Sequence, residues 1–172
     1  DPVFRGYLER LMRDEIAPLL PPAPAVDLPS YQRTVLARLA NPRIADELRR
    51  LCRAGSSKVP LHVVPSIARA RALGRDHSLL TLAVAGWFRY LRGGDERGRR
   101  LVPDDPLAER LQKAAVRGGT DPRPLLAESG RFGALAADPA FVASLEQALL
   151  ALDRHGVRAT LAAGASEGRL AA

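Results

Sequence analysis

Apolar residues recur along this chain at helical rather than alternating spacing. Phe4, Leu8, Leu11, Met12, Ile16 and Leu19 fall on one side of a first helix, with Glu9, Arg10, Arg13 and Asp14 between them. Asp1-Pro2 is the start signal, a capping acid followed by proline at the first helical position, and Pro18 is expected to end or kink the helix. Pro21-Pro22-Ala23-Pro24 reads as an extended connector. Asp27 is the predicted cap of a second helix, with Leu28, Tyr31, Val35, Leu36 and Leu39 along one side, and that helix stops at Asn41-Pro42. Asn41 in turn is the predicted N-cap of a third. Its apolar face carries Ile44, Leu48, Leu51 and Cys52, and its polar side Arg43, Asp46, Glu47, Arg50 and Arg53. Asp46 and Arg50, one turn apart, are expected to pair, and Gly55 to break the helix.

Leu61-His62-Val63-Val64, after Pro60, is the one short stretch that could be extended. Pro65-Ser66 then starts a helix through Leu73, ended by Gly74. Asp76 is expected to cap the most apolar segment, Ser78 to Leu91, whose Leu79, Leu80, Leu82, Val84, Trp87, Phe88 and Leu91 leave little polar face. Such a helix belongs at the centre, and Gly86 in it would admit a close neighbouring backbone. Gly93 to Asp105 is a charged loop without GxGxxG or GxxxxGK[ST], hence a surface turn rather than a phosphate cradle. Pro106 to about Arg117 is helical, Gly118-Gly119 ends that helix, and Asp121-Pro122 starts a short one. Asp138-Pro139 opens the last strong helix, with Phe141, Val142, Leu145, Ala148, Leu149 and Leu152 facing inward. It is expected to stop at Gly156, with a short turn to Leu161 and a frayed tail from Ala162. The reading is all-α, with about seven to nine helices and no repeat of fixed period.

Composition agrees with that class. Hydrophobic residues are 47% of the 172 but aromatics only 5%, so the core must be Leu, Ala and Val, which suits helix packing. The formal charge is +7, yet the basic residues, all arginine except Lys58 and Lys113, are spread among 19 acids. A nucleic-acid partner is therefore only weakly indicated. Cys52, the single cysteine, excludes an internal disulfide, and His62, His77 and His155 match no ligand spacing, so no metal is expected. The longest apolar run, Leu79 to Phe88, is far short of the roughly 20 residues of a membrane span, and no signal peptide is visible. A cytoplasmic location is expected. The chain opens Asp1-Pro2 without an initiator Met, which reads as a fragment at least as readily as a processed chain.

Catalytic constellations are missing. Cys52 lies on an apolar stripe, no G-x-S-x-G occurs, and Asp104-Asp105 sit beside prolines as helix caps would. What stands out is Arg50, Arg53 and Lys58 around the end of the third helix and the Gly55-Ser56-Ser57 turn. They fit a solvated face complementing the helix dipole. The sharper reading is a polar site, since arginine supplies five fixed donors and lysine a mobile one, for a ligand rich in oxygen acceptors such as a polyol or sugar acid.

A longer pattern bears on that choice. Arg38-Leu39-Ala40-Asn41-Pro42-Arg43-Ile44-Ala45-Asp46, then Gly55-Ser56-Ser57-Lys58-Val59-Pro60 and Pro65-Ser66-Ile67, resembles the C-terminal domain of the mannitol dehydrogenase family, the polyol-specific long-chain dehydrogenases and reductases. The resemblance continues through Ala85-Gly86-Trp87-Phe88-Arg89-Tyr90-Leu91, Asp95-Glu96-Arg97-Gly98, Pro103-Asp104-Asp105-Pro106, Gly156-Val157 and Thr160-Leu161. It implies a multi-helical domain like the C-terminal part of 6-phosphogluconate dehydrogenase, here residues 1–162 with a flexible tail over 163–172. It also implies an N-terminal Rossmann-like domain, outside this chain, that binds NAD or NADP. By matching position, Arg50 and Lys58 would contact the hydroxyls of a sugar alcohol or sugar acid, and Arg53 stands where some members carry His. Ala54 stands where the family usually has Asp, and Leu39 where it has Phe. The family's catalytic lysine precedes an Asn by five residues and a His by eight. Lys58 has Val63 at the first offset and Lys113 has Gly118, so neither fits, and this chain alone is expected to be inactive. The rival expectation is a non-catalytic helical interaction or nucleic-acid-binding module.

Overall fold

Asp1 opens α1 (Pro2–Arg10), its carboxylate accepting the Val3 N–H at 2.8 Å and the Phe4 N–H at 3.4 Å. The computed structural model describes residues 1–22, 24–43 and 52–166. The helical path continues past Arg10 through a π turn, Leu11–Ile16, and a 3-10 turn, Ala17–Leu19. Pro18 is the physical reason. It offers no N–H and crowds the carbonyl one turn back, and the wider π turn, closed by Ala17 N–H to the Met12 carbonyl, relieves that crowding.

Asp27 caps α2 (Leu28–Leu39) by accepting the Ser30 N–H at 3.1 Å. The expected apolar side of α2 is buried only at Leu36, while Tyr31 is 60% and Leu39 44% exposed. Asn41 accepts the Arg43 N–H at 2.9 Å, as a cap would, but residues 44–51, most of the third expected helix, lie outside the described residues.

Beyond Cys52 the chain turns into α3 (Gly55–Lys58), a π turn over Val59–Val63, and α4 (Val64–Ala72). The run Leu61–Val64 is thus helical and not extended. Pro60 and Pro65 cannot donate, and the π turn again absorbs the mismatch, with Val64 N–H reaching back to the Val59 carbonyl. α5 (Ser78–Leu91), α6 (Ala108–Gly118), α7 (Arg123–Ser129), a 3-10 turn (Gly133–Ala137) and α8 (Pro139–Ser166) complete the fold. Among the described residues the sole β feature is an isolated bridge between Gly94 and Arg100.

The core forms where α5 lies against α8. Every expected apolar residue of α5 is buried, as are Phe141, Val142, Leu145, Ala148, Leu149 and Leu152 of α8. Each fully buried Leu or Phe contributes on the order of 1.5–3 kcal/mol relative to exposure. Phe132 bridges α5 to α8, edge-on to Phe88 at 5.8 Å and stacked on Phe141 at 6.3 Å. Gly86 is exposed, and nothing lies within 4 Å of where its Cβ would be, so the close approach expected there does not occur.

Gly156 (φ 78°, ψ 167°) is not helical and ends the first of the two helices within α8, as expected, and the second follows directly across the kink. Carbonyls loosened by the kink meet the Thr160 hydroxyl, 2.8 Å from the Gly156 oxygen and 3.1 Å from that of Ala151, and Glu96 accepts the Val157 N–H at 2.6 Å. The stretch expected to be a turn and a frayed tail is therefore helix as far as Ser166, with the Gly164 carbonyl accepting from Arg10. The tail beyond Ser166 lies outside the described residues.

A carboxylate that the apolar pattern does not single out fastens α1 to this core. Glu15, 3% exposed, accepts the Leu79 N–H at 2.7 Å and the Leu80 N–H at 2.8 Å. Asp76 caps the same helix start as expected, accepting from Ser78 at 3.0 Å. Tyr7 adds a bond from its hydroxyl to the Leu79 carbonyl at 2.9 Å. Burial pushes the Glu15 carboxyl up, opposed by the two N–H donors.

Candidate functional site

The turn that carries Lys58 is made by a residue other than the expected one. Ala54 takes the left-handed conformation (φ 53°, ψ 40°), the one non-glycine residue with positive φ among those described. For alanine that conformation costs on the order of 1 kcal/mol. Gly55, expected to supply the break, instead starts α3. Its lack of a side chain serves packing, because a Cβ there would lie 2.2 Å from Trp87 Nε1 and 2.7 Å from Cδ1. The buried Trp87 Nε1 has no hydrogen-bond partner among the described residues, so the indole fixes the turn by contact alone.

Polar ties to the turn come from the loop that precedes α6. Ala54 N–H donates to the Asp104 carbonyl at 2.9 Å, and Ser56 N–H donates to Asp105 Oδ2 at 2.7 Å. Asp105 Oδ1 meanwhile accepts the Leu107 N–H at 2.9 Å, which is the capping role expected of it. Asp104 N–H donates to the Tyr90 hydroxyl at 3.1 Å, tying the loop to the end of α5. Within the turn, the Ser57 and Lys58 N–H groups both donate to the Ala54 carbonyl, at 3.0 and 3.1 Å. Ser56 is buried, while Lys58 ends α3 on the exposed side.

The three cations singled out from the sequence fare differently. Lys58 stands exposed on the clamped turn. Arg53 is 68% exposed and pairs with Asp104, Nε to Oδ2 at 3.5 Å. Arg50 lies outside the described residues, as does its expected pairing with Asp46. Cys52 is half-buried and is no member of the main core cluster; burial pushes its thiol up, while the Lys58 ammonium pulls the other way, which puts lysine and thiol in one neighbourhood.

Sequence reasoning did not find the reach of Asp105 to Ser56, which spans 49 positions, nor the Gly55–Trp87 contact. The one available signal was the position of Asp105 before Pro106, and it pointed only to local capping. A second polar cluster lies at the start of α5. Arg71 pairs with Asp138, its Nη1 lies 3.4 Å from His77 Nε2, and His77 Nδ1 is 3.1 Å from the Thr81 hydroxyl. Among the described residues no group of three or more His, Cys, Asp or Glu side chains could hold a metal. No described helix is long and apolar enough to cross a membrane.

Comparison with known proteins supplies the context for this turn. The family model for the mannitol dehydrogenase C-terminal domain matches residues 1–153. A mannitol 2-dehydrogenase of Phaeosphaeria nodorum is 45% identical over 163 residues, 94% of this chain and 28% of that protein. One from Aspergillus terreus is 38% identical over 161 residues, 93% of this chain and 32% of that protein. Among solved structures, a ternary complex of Pseudomonas fluorescens mannitol 2-dehydrogenase with NAD and D-mannitol superposes with a TM-score of 0.83. It is 37% identical, with 94% of this chain and 33% of that one covered. The chain thus spans about a third of the length of the relatives it matches.

Proposed function

The chain belongs to the mannitol dehydrogenase C-terminal domain family, and from that premise we propose that it is the substrate-holding domain of an NAD(P)-dependent polyol or hexuronate oxidoreductase. The observation that carries the reading is the exposed Lys58 on a clamped turn, in a fold superposing at a TM-score of 0.83 on a mannitol 2-dehydrogenase bound to NAD and D-mannitol. The Lys58 ammonium offers three donors to substrate hydroxyls, and Arg50, eight positions earlier, offers a planar fork. A planar fork and a point donor together select which carbon of a polyol faces the reaction partner, and positioning of this kind is worth several kcal/mol of barrier. The nicotinamide supplies hydride chemistry between a secondary alcohol and a ketone. The described residues do not fit that cofactor, because no glycine-rich turn opens a helix among them, so its binding is assigned to an N-terminal Rossmann-like domain, together with the general base. Arg53, held by Asp104, has at most a supporting part.

Much of the chain's positive charge is engaged by acids, as in Arg89 and Arg92 with Asp153, Arg110 with Glu128, and Arg123 with Asp121. That arrangement supports the polyol reading over a nucleic-acid-binding module, which needs a contiguous free basic face. The test is turnover. The intact protein containing this domain is expected to reduce NAD or NADP with D-mannitol or a related polyol or uronate, and the 172-residue chain alone to give none. Failure of the intact protein on every such substrate would overturn the reading.

A further inference from the structure

We infer that Asp105 is a positioning residue for substrate binding, acting through the Lys58 turn. The inference rests on the proposed role of Lys58. A lysine side chain is long and mobile, so its value as a substrate contact depends on how firmly its backbone is placed. Three features place this one. Trp87 presses against Gly55 from within the core. The Asp104 carbonyl holds the Ala54 N–H at 2.9 Å, and Asp105 Oδ2 holds the Ser56 N–H at 2.7 Å. The last is the only one of the three that uses a charged acceptor, and such bonds are about twice as strong as neutral ones.

Asp105 also accepts with both oxygens at once, from Ser56 and from Leu107. It therefore couples two backbone segments, the lysine turn and the entry to α6. Asparagine has the same shape but one acceptor oxygen, and its amide NH2 would face one of the two N–H groups. Asp105→Asn thus breaks the coupling while leaving the core untouched. Tyr90, by accepting the Asp104 N–H, keeps the loop in place from the end of α5, so the turn is set by the central helix at two points, Trp87 and Tyr90.

The test uses the intact protein and steady-state kinetics with NAD and D-mannitol. Asp105→Asn is expected to raise KM for D-mannitol about tenfold, with kcat and the KM for NAD changed less than about twofold. On a Lys58→Ala background the same substitution should cost little more, because the side chain it positions is gone. Additive losses would reveal a general folding defect and overturn the inference, as would unchanged kinetics in Asp105→Asn where Lys58→Ala is impaired. If Lys58→Ala is itself without effect, the reading of Lys58 as a substrate contact fails, and the inference with it. Asp105→Ser, which can still cap α6 but cannot reach Ser56, is the second variant should the asparagine form not fold, and the same KM rise is expected of it.

Discussion

Glu15 and Asp105 both carry a carboxylate across a long stretch of sequence to the start of a helix, and both accept N–H groups with each oxygen. Glu15 accepts from Leu79 and Leu80 at 2.7 and 2.8 Å, Asp105 from Ser56 and Leu107 at 2.7 and 2.9 Å. Their surroundings separate them. Glu15 is 3% exposed, and what it holds is the central helix. Asp105 is half-buried in a loop, and what it holds is a turn whose next exposed cation is Lys58. The same chemical device serves stability where donor and acceptor both lie in the core. It serves geometry where the held backbone carries a side chain aimed outward.

The largest expected effect lies on the Glu15 side. Glu15→Ala removes the acceptor of two buried helix-start N–H groups and a charge that complements the helix dipole, and a loss of about 3 kcal/mol is expected in denaturant unfolding. A loss below about 1 kcal/mol would erase the distinction between the two carboxylates. Next comes Gly55→Ala, which drives a methyl against the indole of Trp87. Overpacking against a ring that cannot swing away is expected to cost about 2 kcal/mol, read in the same assay, and in the intact protein to weaken polyol binding as well.

The smallest effect concerns pH. Burial first, and then the Arg71 guanidinium, hold the His77 imidazole below its ordinary value, while Asp76 and Asp138 pull the other way. The folded state thus disfavours the proton that the unfolded chain accepts near pH 6.5. Stability from this group is complete above that pH and falls as the solution is acidified below it, by no more than about 1.4 kcal/mol per pH unit. Asp138, held low first by the Phe141 N–H and also by Arg71, gives its share up only at lower pH, as its depressed value is crossed. A His77→Asn form should flatten the first slope, read from unfolding midpoints between about pH 5 and 7, and keep the second, read below about pH 4.

Much of the fold was legible because it follows periodicity. The apolar faces of α5 and of the first part of α8, and the caps at Asp1, Asp27, Asp76 and Asp138, stand where spacing and capping chemistry put them. Prolines gave mixed guidance: Pro18 sits where the first helical path distorts and ends at Leu19, and Pro65 sits in the first turn of α4, but the run after Pro60 that could be extended is carried by a π turn that keeps the helical path. Glycines misled in a different way. Gly55 is demanded by Trp87, far along the chain, and Gly86 by no neighbour at all, and no local pattern separates the two. The site was half legible. Lys58 stood out as one of two lysines, but Asp105 looked like a local cap because its second partner is 49 positions away.

Whether Lys58 holds the substrate is read from kcat/KM for D-mannitol in Lys58→Ala of the intact protein. A fall of at least tenfold is expected, about 1.4 kcal/mol of lost binding, with NAD affinity and the unfolding midpoint unchanged. An unaltered kcat/KM would contradict the account.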